Sequence, residues 1–287
     1  MDRIKGQVYK AHSDKYLVKT SDGLIKCTAR GLLRLKRDEI TVGDIVQVSK
    51  NSTIDTVFDR KNTFIRPNVS NVDIIIAVLS PEPKPDFYLL DKLYINAVKE
   101  DVDFCIVVNK SDIDGQLKST IECEYQKLGV KILSVCASTG DGIDQLKGLL
   151  KGKLSVLAGQ SAAGKTSIVN AMFNLELKVG ELSKKTERGK HTTTRSEIFE
   201  FEDVRIIDSP GFAVIEADVD IKDLPTFYPD YVEHASDCRF RGCSHVNEPD
   251  CKIKQLVQSG ILSKERYARY VDIYNEISKR RTNYEKN

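Results

Sequence analysis

The sequence predicts a multidomain chain: an N-terminal OB-fold β-barrel over 1–67, a central doubly wound α/β domain over 68–222, and a helical, metal-binding C-terminal segment over 223–287. Three observations lead there. Short alternating apolar stretches fill the first 66 residues. Continuous apolar strands then alternate with helical spacing, and beyond residue 222 three cysteines and a histidine crowd into fourteen residues. A length of 287 residues suits about two domains with a small third.

In the first unit the apolar positions are Ile4 and Val8, Tyr16 and Val18, Ile45 to Val48, and Ile54 to Phe58, separated by turn signals at Ser21-Asp22-Gly23 and Val42-Gly43-Asp44. About five short strands suit a small closed barrel. The glycine punctuation and a basic balance favour the OB type over an SH3-like barrel, and a purely structural β-module with a solvated basic face is the competing reading. Residues 1–68 hold 14 Lys and Arg against 8 Asp and Glu, whereas residues 69–222 hold 19 against 24. A phosphate backbone is therefore attracted first to the N-terminal unit.

After residue 67 the period changes. Val72 to Leu79 and Phe104 to Val108 read as strands buried in a parallel sheet, and Phe87 to Val98 has helical spacing. A helix near Ser119 to Lys127, strands at Lys131 to Val135, Leu154 to Ala158 and Val204 to Ile207, and a helix from Lys165 to Phe173 continue the alternation. Such a domain places its ligand beyond the C-terminal ends of the strands. The polar stretch 177–196 interrupts it as a long loop, of a length that is usually either functional or disordered. The C-terminal segment ends in an amphipathic helix bearing Tyr267, Tyr270, Val271, Tyr274 and Ile277, with Ser263 as N-cap.

The longest apolar run, Ile74 to Leu79, is too short to cross a bilayer, and the first residues lack the apolar core of a signal peptide. Seven unevenly spaced cysteines argue against a secreted disulfide framework. A cytoplasmic monomer is expected.

The strongest motif is Gly159-Gln160-Ser161-Ala162-Ala163-Gly164-Lys165-Thr166, followed by Ser167, between an apolar strand and a helix. Backbone N–H groups in such a loop wrap phosphates, Lys165 neutralises them, and the Thr166 hydroxyl suits Mg²⁺. At the end of another strand stands Asn109-Lys110-Ser111-Asp112. The Asp112 carboxylate can accept from two guanine donors that adenine lacks. Cys136 and Ala137, after a further strand, can add a backbone contact to the base. Asp208-Ser209-Pro210-Gly211 suits a water-mediated Mg²⁺ contact and close approach to a terminal phosphate. The polar loop offers His191, Thr192, Thr193 and Thr194. The threonine hydroxyls can complete a Mg²⁺ shell, and His191 is a candidate to orient the attacking water, since Phe212 stands where many GTPases carry glutamine.

The order of these motifs is permuted: the base-reading tetrad at 109 precedes the phosphate loop at 159, and the D-x-x-G at 208 follows. With an N-terminal barrel and a C-terminal Cys/His segment, the sequence closely resembles the ribosome small-subunit-dependent GTPase A family of circularly permuted GTPases. The resemblance implies GTP hydrolysis stimulated by the small ribosomal subunit during its late maturation, with the barrel and the metal segment contacting the particle and its rRNA. It also marks two departures. The family usually has glycine at Ala162, where a Cβ at positive φ would cost ~1–2 kcal/mol. It commonly has serine at Cys136, which predicts a lost hydroxyl contact and reliance on backbone donors. A GTPase acting on another RNA or ribonucleoprotein, or an RNA-binding module with little turnover, are the rival functions.

Cys238, Cys243, His245 and Cys251 can close a tetrahedral site around one structural Zn²⁺, leaving no open position for a catalytic water.

Overall fold

The computed structural model describes residues 3–30, 40–65, 67–175, 196–209, 212 and 215–284. Strands β1 (Ile4–His12), β2 (Lys15–Thr20), β3 (Gly23–Ala29), β4 (Ile45–Val48) and β5 (Thr53–Val57) form a closed, OB-like barrel. They run in the order β1-β2-β3-β5-β4, and β4 returns to pair with β1. Only the β3–β5 pair in this ring is parallel. Alternation does the sorting: Val8, Val18, Val46 and Ile54 point inward and are fully buried. A bulge between Val8 and Lys10 bends β1 and re-aims its outer face.

The barrel leads into a short hairpin of β6 (Thr63–Phe64) and β7 (Val69–Ser70). Asp44 welds the two: it is fully buried and accepts from Arg60 at 2.7 and 2.9 Å, Ser70 Oγ at 2.6 Å and Thr41 N at 2.9 Å. Gly43 beside it has φ 97°, and a Cβ there would lie 2.0 Å from the Ser70 carbonyl.

The central sheet holds β8 (Ile74–Leu79), β9 (Asp103–Val108), β10 (Lys131–Ser134), β11 (Leu154–Ala158), β12 (Glu197–Phe201) and β13 (Val204–Asp208). Helices α1 (Phe87–Lys99), α2 (Gln116–Tyr125), α3 (Ile143–Leu150) and α4 (Lys165–Phe173) pack on it. The order β10-β9-β8-β11-β13 is parallel, with β12 antiparallel to β13. The chain leaves β8 towards β9 and β10, then returns to place β11 on the other side of β8. The crevice between β8 and β11 is thus the switch point where α/β sheets bind ligands. In this sheet and its helices two elements, α3 and β12, go beyond those the sequence predicts, and α2 starts three residues earlier than expected.

β12 also pairs with β1 at Lys10↔Glu197, so barrel and α/β sheet form one 11-stranded sheet. Side chains reinforce the seam: Tyr9 OH donates to Glu200 at 3.1 Å, Lys19 pairs with Glu200 at 3.1 Å, Lys10 pairs with Glu197, and Arg205 donates to Gln7 at 2.7 Å.

The C-terminal segment contributes the one-turn α5 (Pro229–Val232), then α6 (Lys252–Gln258) and α7 (Lys264–Tyr284). Ser263 caps α7 as expected, accepting from Arg266 N at 3.1 Å. Tyr228, Tyr231, Tyr270, Ile273 and Ile277 bury one another together with Ile95 of α1. The docking is locked by ions. Arg269 reaches Asp91 at 2.5 Å and Glu124 at 2.6 Å, and Arg266 reaches Asp230 at 2.9 Å, all five partly or wholly buried. No helix of the described residues is long and apolar enough to cross a membrane.

Candidate functional site

The loop after β11 is shaped by contacts a side chain would destroy. Gly159 has φ 131°, and a Cβ there would lie 2.2 Å from the Val78 carbonyl of β8. Gly164 has φ 94°, and its Cβ would meet Asn109 Nδ2 at 2.1 Å. That second contact joins two motifs 54 residues apart: Asn109 Nδ2 donates to the Ala163 carbonyl at 3.0 Å. Its Oδ1 accepts from Ala137 N at 3.3 Å, so the Ala137 N–H, expected for the base, is held by Asn109 here. Lys110, at φ 57°, donates to the Ala162 carbonyl at 3.2 Å and the Glu82 carbonyl at 2.5 Å. One buried asparagine and its neighbouring lysine thus fix the base-reading loop against the phosphate loop.

Ala162 does sit at positive φ, 63°. The Cys136 thiol donates to Asp112 Oδ1 at 3.1 Å and lies 3.1 Å from Ser138 Oγ, so its side chain is engaged with the base-reading carboxylate. Sulfur supplies the hydrogen bond that an oxygen would.

Lys165 Nζ folds onto the carbonyls of Gly159 at 2.7 Å and Gln160 at 2.6 Å. Burial pulls its pKa down to about 8, against the opposing pull of Asp208. Thr166 is buried at the start of α4, while Ser161 is exposed and Ser167 half-buried. Asp208 ends β13 beside Ser209, whose hydroxyl accepts from Ser196 at 2.9 Å. His191, Thr192, Thr193, Thr194 and Gly211 lie outside the described residues. Phe212 is in the core rather than at the nucleotide: it is 1 % exposed and meets Phe64 edge-on at 5.4 Å.

Sequence reasoning missed the role of Gln160. Its amide accepts from Asp86 N at 2.9 Å and donates to the Lys84 carbonyl at 3.0 Å, fastening the phosphate loop to the N-cap of α1. No motif marks the position, because its partners are backbone groups.

In the C-terminal segment the ligand atoms of Cys238, Cys243, His245 and Cys251 all lie within 4.8 Å of one another. Cys238 Sγ and Cys251 Sγ are 4.0 Å apart, and they lie 3.6 and 3.4 Å from His245 Nδ1. Tetrahedral ligands about 2.3 Å from an ion stand roughly 3.8 Å apart, so the set fits a metal of that preference. Burial lowers the His245 pKa, which keeps the imidazole neutral as ligation requires, and pushes the Cys243 thiol up to about 12, so metal entry must displace protons. Tyr267 OH donates to the His245 carbonyl at 2.7 Å and Tyr270 OH to the Ser244 carbonyl at 2.5 Å. Glu248 accepts from Ser244 N at 2.8 Å and Ser244 Oγ at 3.0 Å. Burial pushes that carboxyl up, but these hydrogen bonds outweigh it and hold it down to about 2. The tyrosines were legible only as an apolar helix face.

With this geometry in place, the relatives are decisive. Family models described as RsgA N-terminal domain and RsgA GTPase match residues 5–56 and 57–218. The chain belongs to the RsgA GTPase family. It is therefore a GTP-hydrolysing enzyme. It is 36% identical over 296 residues to the small ribosomal subunit biogenesis GTPase RsgA of Caldanaerobacter subterraneus subsp. tengcongensis, with 100% of both chains covered. The protein of that name from Thermotoga petrophila is 36% identical over 293 residues, covering 97% of this chain and 98% of its own. A crystal structure of YjeQ from Thermotoga maritima superposes with a TM-score of 0.78 at 33% identity, covering 96% of this chain and 99% of that one. YloQ, described as a circularly permuted GTPase, gives 0.72 at 28% identity, covering 97% and 96%. The permuted motif order of this family agrees with the strand order: the base-reading tetrad follows β9, and the phosphate loop follows β11.

Proposed function

We propose that the chain hydrolyses GTP as a factor in late maturation of the small ribosomal subunit, with turnover stimulated by that subunit. The observation that carries this reading is the Asn109–Ala163 hydrogen bond, which sets a guanine-reading loop against a phosphate loop at the sheet's switch point. Gly159, Gln160, Ser161, Ala162, Ala163, Gly164, Lys165, Thr166 and Ser167 hold the phosphates. Asn109, Lys110, Asp112, Cys136 and Ala137 hold the base. Thr166 and Asp208 hold Mg²⁺, with Thr192, Thr193, Thr194 and Gly211 answering to the terminal phosphate and His191 orienting water. The Cys₃His set holds one structural Zn²⁺ per chain. Names given to the relatives support the particle as partner, and the basic barrel over 1–67 supplies charge for rRNA. The nucleotide unit spans 68–222 and the metal unit 223–287. The protein acts in the cytoplasm, as a monomer.

The test is GTP turnover by the protein alone, with small subunits, with large subunits and with naked RNA. Stimulation by small subunits alone is expected. Equal stimulation by naked RNA would favour a different ribonucleoprotein target, and no turnover under any condition would favour a binding module. His191→Ala should lose stimulated hydrolysis while keeping GTP affinity.

A further inference from the structure

Where the linking hairpin, the C-terminal end of α1 and helix α7 converge on residues 215–223, the surface opens into a cleft of about 790 Å³. Ile215, Ala217 and Ile277 are buried in its lining, and Ile65 stands 70 % exposed. The charges around this apolar lining are unequal. Glu100, Glu216, Asp218, Asp220 and Asp223 border the cleft against Lys99 and Arg280. Both cations are already engaged, Lys99 with Asp218 at 2.6 Å and Arg280 with Glu216 at 3.0 Å. Lys222, outside the lining, meets Asp220 at 3.7 Å on the open surface, a pair that contributes little. Asp223 is exposed and has no ion-pair partner among the described residues. Residues 215–221 belong to no helix or strand, and the main-chain groups of Val219 and Ile221 make no hydrogen bond among the described residues.

We infer that this cleft docks a basic, extended segment of a partner protein, whose apolar side chains seat on the lining while its lysines or arginines meet Asp220 and Asp223. The open main-chain groups of Val219 and Ile221 can pair with the backbone of such a segment, as they could not with a small cation. An excess of carboxylates repels the phosphates of an RNA and the side chains of an acidic peptide. A polyamine would satisfy the carboxylates and leave the apolar lining in water. Phe64, which packs on Phe212, also borders the cleft, so an occupant would sit against the chain that follows Asp208. This contact is with protein rather than RNA, and it stands whether or not the particle served is the small subunit.

The test uses the full-length protein and a fluorescein-labelled, blocked nonapeptide with leucine at every third position and lysine elsewhere. Its anisotropy should rise to saturation, with an affinity that falls as salt rises. Asp223→Lys should weaken binding by about three- to tenfold, because it sets like charges against each other. Ile65→Ser should weaken it by about threefold or more through lost apolar contact. Both side chains are exposed, so melting temperature and GDP affinity should not move. A peptide with serine in place of leucine should bind about fivefold more weakly or worse. Equal binding of the serine peptide would reduce the cleft to a sink for cations and overturn the docking site. Displacement of the nonapeptide by an unstructured RNA decanucleotide would assign the face to RNA and overturn it too. So would the absence of saturable binding, or binding undiminished in both variants. None of these readouts involves GTP turnover, so failure of the docking site and failure of the proposed function are told apart.

Discussion

Ala162 and Lys165 carry opposite kinds of cost within one loop. The strain of Ala162 at φ 63° is present before any nucleotide binds, so it is charged to folding rather than to affinity. Ala162→Gly should then raise stability by about 1 kcal/mol, seen as a melting point higher by about 2–4 °C, with GDP affinity unchanged. A tenfold tighter GDP complex would show that the loop relaxes when empty. Lys165 differs because its charge is disfavoured by burial in the nucleotide-free protein and favoured by phosphates. Its folded pKa of about 8 lies below the unfolded value, so stability rises as pH climbs above 8 and the buried charge is shed. Nucleotide binding runs the other way. Above pH 8 it must take up a proton, and affinity should fall by up to about tenfold per pH unit. Calorimetry in buffers of different ionisation enthalpy would count that proton, and a flat profile from pH 7 to 9 would exclude the assignment. The base site makes a third claim: Asp112→Asn should weaken GTP binding and admit xanthine nucleotides, because the amide reverses one hydrogen bond. ATP competing equally with GTP for the unaltered protein would refute it. These chemical identities were legible in the sequence; the Cys136–Asp112 and Gln160–Asp86 hydrogen bonds were not, since each depends on loops brought together only by the fold.

At the level of elements, legibility followed periodicity. The buried runs of β8, β9 and β11 and the amphipathic α7 have strong patterns, and their placement needed little tertiary context. Helix α3 escaped because it is only eight residues long, starts after Gly142 in the left-handed region and contains Gly148; its buried Ile143, Leu146 and Leu150 keep the spacing all the same. Strand β12 alternates clearly but follows a long polar stretch that hides its start. The metal cluster was legible from ligand spacing, whereas the supports from Tyr267, Tyr270 and Glu248 were not, because they contact backbone atoms. If the set holds a structural metal, as proposed, those supports tie the metal loop to α6 and α7. Elemental analysis should find about one zinc per chain, lost in Cys243→Ser. Its removal should expose the segment after residue 223 to protease while the phosphate loop keeps its nucleotide. Metal-free protein with an unaltered cleavage pattern would rule out a structural metal.

Across the whole molecule, the chain on both sides of the candidate switch segments is tied to the barrel, the linking hairpin, α1 and α7. On one side Glu197 opens β12 and pairs with Lys10 of the barrel. On the other, Phe212 packs on Phe64 of the linking hairpin. Asn96 of α1 then donates to the Glu216 carbonyl and accepts from Asp218 N, and Arg280 of α7 donates to the Ala217 carbonyl at 2.7 Å. A rearrangement demanded by a terminal phosphate that reaches β12, Phe212 or residues 216–218 would be met at the barrel seam, the hairpin or the C-terminal helix, where packed interfaces shift between discrete arrangements rather than deform. Small-subunit affinity should then differ between GDP and a non-hydrolysable GTP analogue. The Phe64–Phe212 contact offers the cleanest handle, since Phe64 lies in the hairpin and far from the base and phosphate loops in sequence. Phe64→Leu should preserve GTP affinity and narrow the difference in particle binding between the two nucleotides. Its effect should be non-additive with Phe212→Leu, as expected of two rings that act through one contact. Sedimentation showing equal binding with both nucleotides in the unaltered protein would remove the coupling, and full additivity of the two variants would remove this contact from it.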